Sequence, residues 1–280
     1  MKIAIQGIQG SFHHIVANQY FGEHITLKEC LSFTEIPELL NEGAVDGAVM
    51  AIENSIAGSI LPNYALIDEY ELSIQGEVHF PIRHHLMGLE GQLLSDIKEV
   101  WSHPMALLQC RSFFRNHRRI KLVEESDTAE VARRIQEQQL KGIAAVASKK
   151  ASEIYGLHII ENEIQTRKQN YTRFFVLKKS NGNLDKPSII NKASLKFITK
   201  HKTGSLADVL NVFAGFDMSL SKIQSLPILD KPWNYAFFAD VIFDDYALFH
   251  EAIAEVRVKT RHLKILGEYQ QSKRKYESQS

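Results

Sequence analysis

The chain has 280 residues, 44% hydrophobic and 24% charged, with 33 Lys and Arg set against 33 Asp and Glu. This composition supports a sizeable core and excludes a disordered chain. A formal charge of zero, with a pI near 7.2, excludes bulk attraction to nucleic acid or an anionic membrane. Residues 1–180 carry 19 basic and 22 acidic side chains (net −3), and residues 181–280 carry 14 and 11 (net +3).

In chain order, the first 180 residues alternate short apolar runs with helical patterns. Strands are predicted over 2–6, 25–30, 47–52, 72–78, 100–102, 121–124, 143–147, 158–161 and 174–177. Amphipathic helices are predicted over 34–41, 105–114 and 128–139, the last capped by Asp127 with Glu130 completing a capping box. This alternation predicts α/β architecture with largely parallel sheets, and so many strands fit two lobes around a cleft better than one sheet. A small-molecule site then belongs at the carboxyl ends of strands facing the cleft.

Residues 179–192, rich in Ser, Asn, Gly, Asp and Pro, read as a linker. Beyond it come a strand over 194–199, a helix over 205–216, strands over 218–226 and 234–242, a helix over 245–257 and a strand over 262–266. That order, β-α-β-β-α-β, is the ferredoxin-like unit. The expected division is 1–180, 192–268 and a polar, disordered tail over 269–280. Cys30 and Cys110 form neither a disulfide framework nor a zinc spacing. No signal-peptide core and no run of ~18 apolar residues is present, so a cytoplasmic protein is expected. No residue cluster suggests a metal or an organic cofactor.

Four short stretches carry polar groups where chemistry would need them. Gly7, Gly10, Ser11 and Phe12 stand between the first strand and a helix, as an anion-binding turn or a bare strand–helix turn. Glu53, Asn54 and Ser55 end an apolar strand and suit either ligand contact or capping. Ser102, His103 and Pro104 lead into a helix bearing Gln109. Asn170, Tyr171, Thr172, Arg173 and Phe174 enter the last strand of the region. The neighbouring pairs His13–His14 and His84–His85 should each include a solvent-facing member, because adjacent residues cannot share one face. Arg111, Arg115, Arg118, Arg119 and Lys121 read as a solvated helix face.

Taken in order, GxxGS-F from residue 7, IENSIAG from 52, SHP with QC from 102 and NYTRFFVL from 170 resemble the prephenate dehydratase family. The residues after the linker resemble that family's ACT regulatory domain. The resemblance implies a two-lobed catalytic domain like a periplasmic binding protein, a ferredoxin-like sensor, and decarboxylating dehydration of prephenate to phenylpyruvate in phenylalanine biosynthesis. With no fused chorismate mutase ahead of the first motif, a monofunctional enzyme is expected. By the same resemblance, Thr172 is the proton donor, with Glu53, Asn54, Ser102 and Gln109 as further catalytic groups. Gly10, Ser11, Asn54, Ser55, Ser102, Arg173 and Phe174 are substrate contacts, and the role of Glu53 stays open between protonated, hydrogen-bonded and turned away. In an extended strand Arg173 should point opposite to Thr172.

Met105 stands where many members carry Gln. The effector site implied for L-phenylalanine falls on Gly204, Ser205, Leu206, Gln224, Ser225 and Leu226. There the usual Gly-Ala-Leu and Glu-Ser-Arg-Pro are replaced by Gly204-Ser205-Leu206 and Gln224-Ser225-Leu226-Pro227, so phenylalanine is expected still to bind at a dimer interface, with altered affinity or weaker inhibition. A homodimer or homotetramer without nucleic acid or membrane partners is expected. Arogenate dehydratase and a non-catalytic amino-acid sensor are the alternatives.

Overall fold

The computed structural model describes residues 1–180, 189–228 and 234–272. Parts of the linker over 179–192 and of the tail over 269–280 therefore lie outside the described residues. Among those described, no helix is long and apolar enough to cross a membrane.

The chain runs β1 (Lys2–Gln6), α1 (Phe12–Phe21), β2 (Thr26–Cys30), α2 (Glu35–Asn41), β3 (Gly47–Asn54), β4 (Gly58–Ser59), α3 (Leu61–Glu69) and β5 (Leu72–Pro81). Next come β6 (His85–Gly88), β7 (Glu99–Ser102), α4 (Pro104–Gln109), α5 (Arg111–Arg115), β8 (Lys121–Glu124), α6 (Thr128–Gln138), β9 (Ile143–Ala147), α7 (Lys149–Tyr155), β10 (His158–Glu161) and β11 (Tyr171–Lys179). The remainder is β12 (Lys192–Thr199), α8 (Ser205–Gly215), β13 (Ser219–Pro227), β14 (Tyr235–Ile242), α9 (Tyr246–Lys259) and β15 (Thr260–Tyr269).

Contacts gather the chain into two compact units, 1–60 with 78–174, and 61–77 with 175–280. Two sheets are built from strands that lie wholly or partly in the first unit. In one, the order is β2-β1-β3-β11-β5, with β1 parallel to both β2 and β3. Ile3, Ala4 and Ile5 are all buried, so β1 is an apolar run covered on both faces rather than an alternating strand. In the other, β10-β6-β9-β7-β8, the β7–β8 and β7–β9 pairs are parallel but β6–β9 and β10–β6 are antiparallel. The second sheet is thus mixed, where the sequence suggested largely parallel pairing.

Two local expectations change for identifiable reasons. The helix predicted over 105–114 breaks at Cys110, because the carbonyl of Gln109 accepts from Thr166 N at 2.8 Å rather than from its own helix. Asp127 does cap α6, accepting from Ala129 N and Glu130 N, while the Glu130 carboxylate turns to Arg133 at 2.6 Å.

In the second unit, β12 through β15 form an antiparallel sheet of order β13-β14-β12-β15, with α8 and α9 packed on one face: the ferredoxin-like arrangement. Along β12, Ala193, Leu195 and Phe197 enter that core. Their neighbours point to the other face, where Lys192 Nζ meets both carboxylate oxygens of Glu77 at 2.9 and 3.0 Å and Lys196 meets Asp68. A Cβ on Gly267 would fall 2.1 Å from the Ile74 carbonyl oxygen, so only glycine lets β15 approach β5 there. These contacts draw residues 61–77 into this unit. Tyr269, placed in the tail by the sequence reading, is fully buried as the last residue of β15.

Candidate active site

Within the first unit, strand ends and helix starts converge on a cavity of about 260 Å³. Gln6 ends β1, Asn54 ends β3, and His103 and Ser126 follow β7 and β8, so the wall forms at carboxyl ends of parallel strands. Three helices also begin there: α1 at Ser11 and Phe12, α4 at His103 and Met105, and α6 at Asp127 and Thr128. Each presents the positive end of its backbone dipole. Among the described residues that line the cavity there is no Lys or Arg, and Asp127 is the one carboxylate. Burial raises the Asp127 pKa above the ordinary carboxylate value.

A row of neutral side chains crosses one wall. Asn54 Nδ2 donates to Thr172 Oγ1 at 3.0 Å and to Asn170 Oδ1 at 2.7 Å. Gln109 Oε1 accepts from Asn170 Nδ2 at 2.8 Å and lies 2.9 Å from His84 Nε2. Gln109 Nε2 reaches Asn54 Oδ1 at 3.4 Å. Thr172 and Phe174 alternate onto the cavity wall along β11, and Arg173 between them faces away. Its guanidinium, 3% exposed, lies 3.6 Å from Glu53 Oε1.

Of the residues singled out from sequence, Ser11, Asn54, Gln109, Thr172 and Phe174 meet at this cavity. The others stand elsewhere. Glu53 is turned to Arg173 and stands off the wall. Ser102 is fully buried and its Oγ donates to the Val146 carbonyl at 2.6 Å, so it ties two strands together behind the wall. Ser55 Oγ accepts from Tyr171 N at 3.0 Å, bracing the entry to β11. Gly10 donates its N–H to His14 Nδ1, and a Cβ there would come within 2.9 Å of Ala151 Cα. It is a packing glycine rather than part of the wall. Met105 does line the cavity.

The histidine expectation is overturned, because all four paired histidines are buried. His13 Nε2 accepts from Ala51 N at 3.2 Å and His14 Nδ1 from Gly10 N at 2.9 Å, while His85 Nδ1 lies 3.2 Å from Asn162 Oδ1. Both faces of α1's first turn and of β6 are covered, so alternation sends no ring to solvent. Burial lowers His13 to about 3 and His84 to about 4, keeping both neutral at physiological pH. Sequence reasoning assigned no role to His84 or Asn170. Asn170 heads the NYTRFF stretch, but nothing local marks it as a contact of Asn54, 116 positions away.

The effector candidates all lie in the second unit. Gly204 opens α8 with φ +80, Ser205 Oγ donates to Lys200 O, and Leu206 packs on the core. Gln224, Ser225 and Leu226 lie on edge strand β13, where Gln224 Nε2 donates to Ser225 O at 3.0 Å. Among the described residues no group of three or more His, Cys, Asp or Glu could hold a metal.

The prephenate dehydratase family model matches residues 3–182. A bifunctional chorismate mutase/prephenate dehydratase of Enterobacter agglomerans is 32% identical over 272 residues, covering 96% of this chain and 70% of the relative. Arogenate dehydratase 2 of Petunia hybrida is 35% identical over 290 residues, covering 96% and 71%. Among solved structures, GqqA, described as a novel type of quorum quenching acylase, aligns with a TM-score of 0.87 at 27% identity over 97% of this chain and 98% of its own. The prephenate dehydratase of Arthrobacter aurescens in complex with L-Phe gives 0.84 at 24% identity over 96% and 90%, a likeness of fold. The family model covers the sequence that builds the cavity, the relatives align over nearly the whole chain, and this protein belongs to the prephenate dehydratase family.

Proposed function

We propose that the cavity binds prephenate and that Thr172 drives its decarboxylating dehydration to phenylpyruvate. The observation that carries this is the donor aimed at Thr172. Asn54 Nδ2 fills a lone pair of Oγ1 at 3.0 Å, which leaves the hydroxyl proton free for the substrate. Prephenate is a dianion. It loses carbon dioxide and its ring hydroxyl as the ring becomes aromatic, giving phenylpyruvate, carbon dioxide and hydroxide, which solvent neutralises. A threonine hydroxyl is too weak an acid to transfer its proton outright, and it acts as a hydrogen bond that strengthens as charge builds on the departing oxygen.

The wall suits that task in a second way. The start of α1 and neutral donors such as Ser11 hold anions without a cation in contact. A strong ion pair to the departing carboxylate would stabilise the ground state and oppose its loss. Arg173 and Glu53 brace β11 and β3 from behind. Ultraviolet detection of phenylpyruvate formed from prephenate tests the assignment; a Thr172→Ala protein with near-wild-type turnover would sink it.

Arogenate, which carries an ammonium where prephenate carries a keto group, is the second reading. The Asp127 carboxylate in the wall complements an ammonium, and the Petunia relative bears that name. Rates with the two substrates side by side decide between them.

The second unit reads as an ACT-type sensor for L-phenylalanine in a cytoplasmic homotetramer. The ferredoxin-like sheet order supports the first part, as does the Arthrobacter protein's complex with L-Phe. With Gln224 and Leu226 in place of Glu and Arg, we expect weaker inhibition. Rates with and without phenylalanine, calorimetric titration and sedimentation test these points, and strong inhibition at low micromolar effector overturns the weakened-switch reading.

A further inference from the structure

The neutral row ends in an imidazole whose tautomer the backbone dictates. Asn54 Oδ1 accepts from Ile56 N and Ala57 N, both at 2.9 Å. A backbone N–H only donates, so the Asn54 amide cannot turn over, and its Nδ2 must face Asn170 and Thr172. Asn170 then offers Oδ1 to Asn54 and Nδ2 to Gln109 Oε1. With that oxygen an acceptor, His84 Nε2 at 2.9 Å must carry a proton. Its Nδ1 is left bare, buried and without a hydrogen-bond partner among the described residues. Phe12 packs edge-on against the ring, with centroids 5.6 Å apart.

We propose that His84 is a positioning residue for the dehydration, its Nε2–H locking the Gln109–Asn170–Asn54 row in the direction that keeps Thr172 a donor to substrate. The proposal rests on the role given to Thr172 above. Without a donor at Nε2, Gln109 Oε1 loses one of its two donors, and only Asn170 Nδ2 and the long contact of its own Nε2 with Asn54 Oδ1 at 3.4 Å still hold its direction. A turned Gln109 sets N–H against N–H at Asn170. Turning Asn170 in its place moves the same clash to Asn54, beside the atom that braces Thr172.

Three variants and one spectrum test this. His84→Gln puts an amide nitrogen close to the position of Nε2 and should keep kcat within about threefold. His84→Leu and His84→Phe remove the donor, and each should lose kcat by roughly 10–100-fold with KM nearly unchanged, as expected when a reacting group is misplaced but the binding wall remains. Nitrogen-15 spectra of histidine-labelled wild-type protein should show His84 protonated on Nε2. Protonation on Nδ1 overturns the proposal, and so does equal kcat in the Gln and Phe variants or a loss confined to KM. Should the Leu and Phe variants fail to fold, the spectrum and a wild-type-like His84→Gln remain decisive. Thr172→Ala, assayed in parallel, separates the two ideas. If it keeps its turnover, the reading of Thr172 falls, while the spectrum still decides the His84 tautomer.

Discussion

The row that ends at Thr172, half-buried at Asn54 and Gln109, and the buried cluster beneath β12 are made of different materials. The first is amides, a hydroxyl and a neutral imidazole: His84, Gln109, Asn170, Asn54 and Thr172. The second is ionic. Lys192 and Glu77 face each other with side chains 1% and 0% exposed, Ser272 N adds a third contact to Glu77, and Ser194 Oγ donates to Asp240 at 2.5 Å beside the Tyr269 hydroxyl. A buried ion pair contributes little net stability against apolar packing, but breaking it is costly, so it suits a place where nothing has to bind or leave. A site that takes up a dianion and releases it as other species is better served by dipoles already in place. Among the described residues, Lys and Arg are kept for structure and withheld from the cavity wall, where Asp127 is the one carboxylate, and Arg173 with Glu53 behind β11 follows the same rule.

The comparison breaks first at Thr172. Its replacement by Ala should cut kcat by roughly 10²–10³-fold, the span of a lost hydrogen-bond donor to developing charge, while the thermal midpoint hardly moves. In the ionic cluster the pattern should invert. Glu77→Gln strands the Lys192 ammonium and should cost about 3–5 kcal/mol in urea unfolding, with kcat preserved in the protein that stays folded. Replacing both partners, Glu77→Leu with Lys192→Met, should recover most of that loss. A double variant that recovers none of that loss would show that the cluster is more than a matched pair.

Acid sharpens the contrast next. His13 and His84 are held near 3 and 4 when folded but titrate near 6.5 unfolded, so the unfolded chain binds more protons between those values. Their contribution is therefore intact above pH 6.5 and lost as the pH falls below it, by about 1 kcal/mol for each ring at pH 5.5. His13→Gln should flatten this part of the stability–pH curve relative to wild type. The smallest effect belongs to Glu53→Gln. With a part-exposed carboxylate 3.6 Å from Arg173, it should cost at most about 1 kcal/mol and leave kcat within about threefold. A large loss of kcat there would return Glu53 to the catalytic machinery.

Most elements were legible because their signals are local. β1, β8, β9 and β10 match their predicted bounds to the residue, and Ser11, Asp127 and Pro104 act at the helix starts as their chemistry requires. β4 and β6 were not legible. β4 is two residues long, and all four residues of β6 are buried, which removes the alternation that would reveal a strand. At the site, Asn54, Gln109 and Thr172 were reached through motifs. One member of the His84–His85 pair was expected to face solvent, by an argument about faces that holds only when one face is wet. Ser102 carries the right residue type in the right motif, yet its hydroxyl is spent on Val146, a strand neighbour that no local pattern reveals.

By itself, the sequence determined what depends on neighbouring residues: which stretches extend or coil, where helices begin, that the second unit has β-α-β-β-α-β order, and that no charge surplus meets the substrate. Only the tertiary structure decided which polar groups face one another. Asn54 and Thr172 are 118 positions apart, and Lys192 and Glu77 are 115. The direction of a hydrogen bond, the tautomer of a ring and the side to which a carboxylate turns are set by whatever partner folding brings within about 3 Å, and local propensity does not encode that.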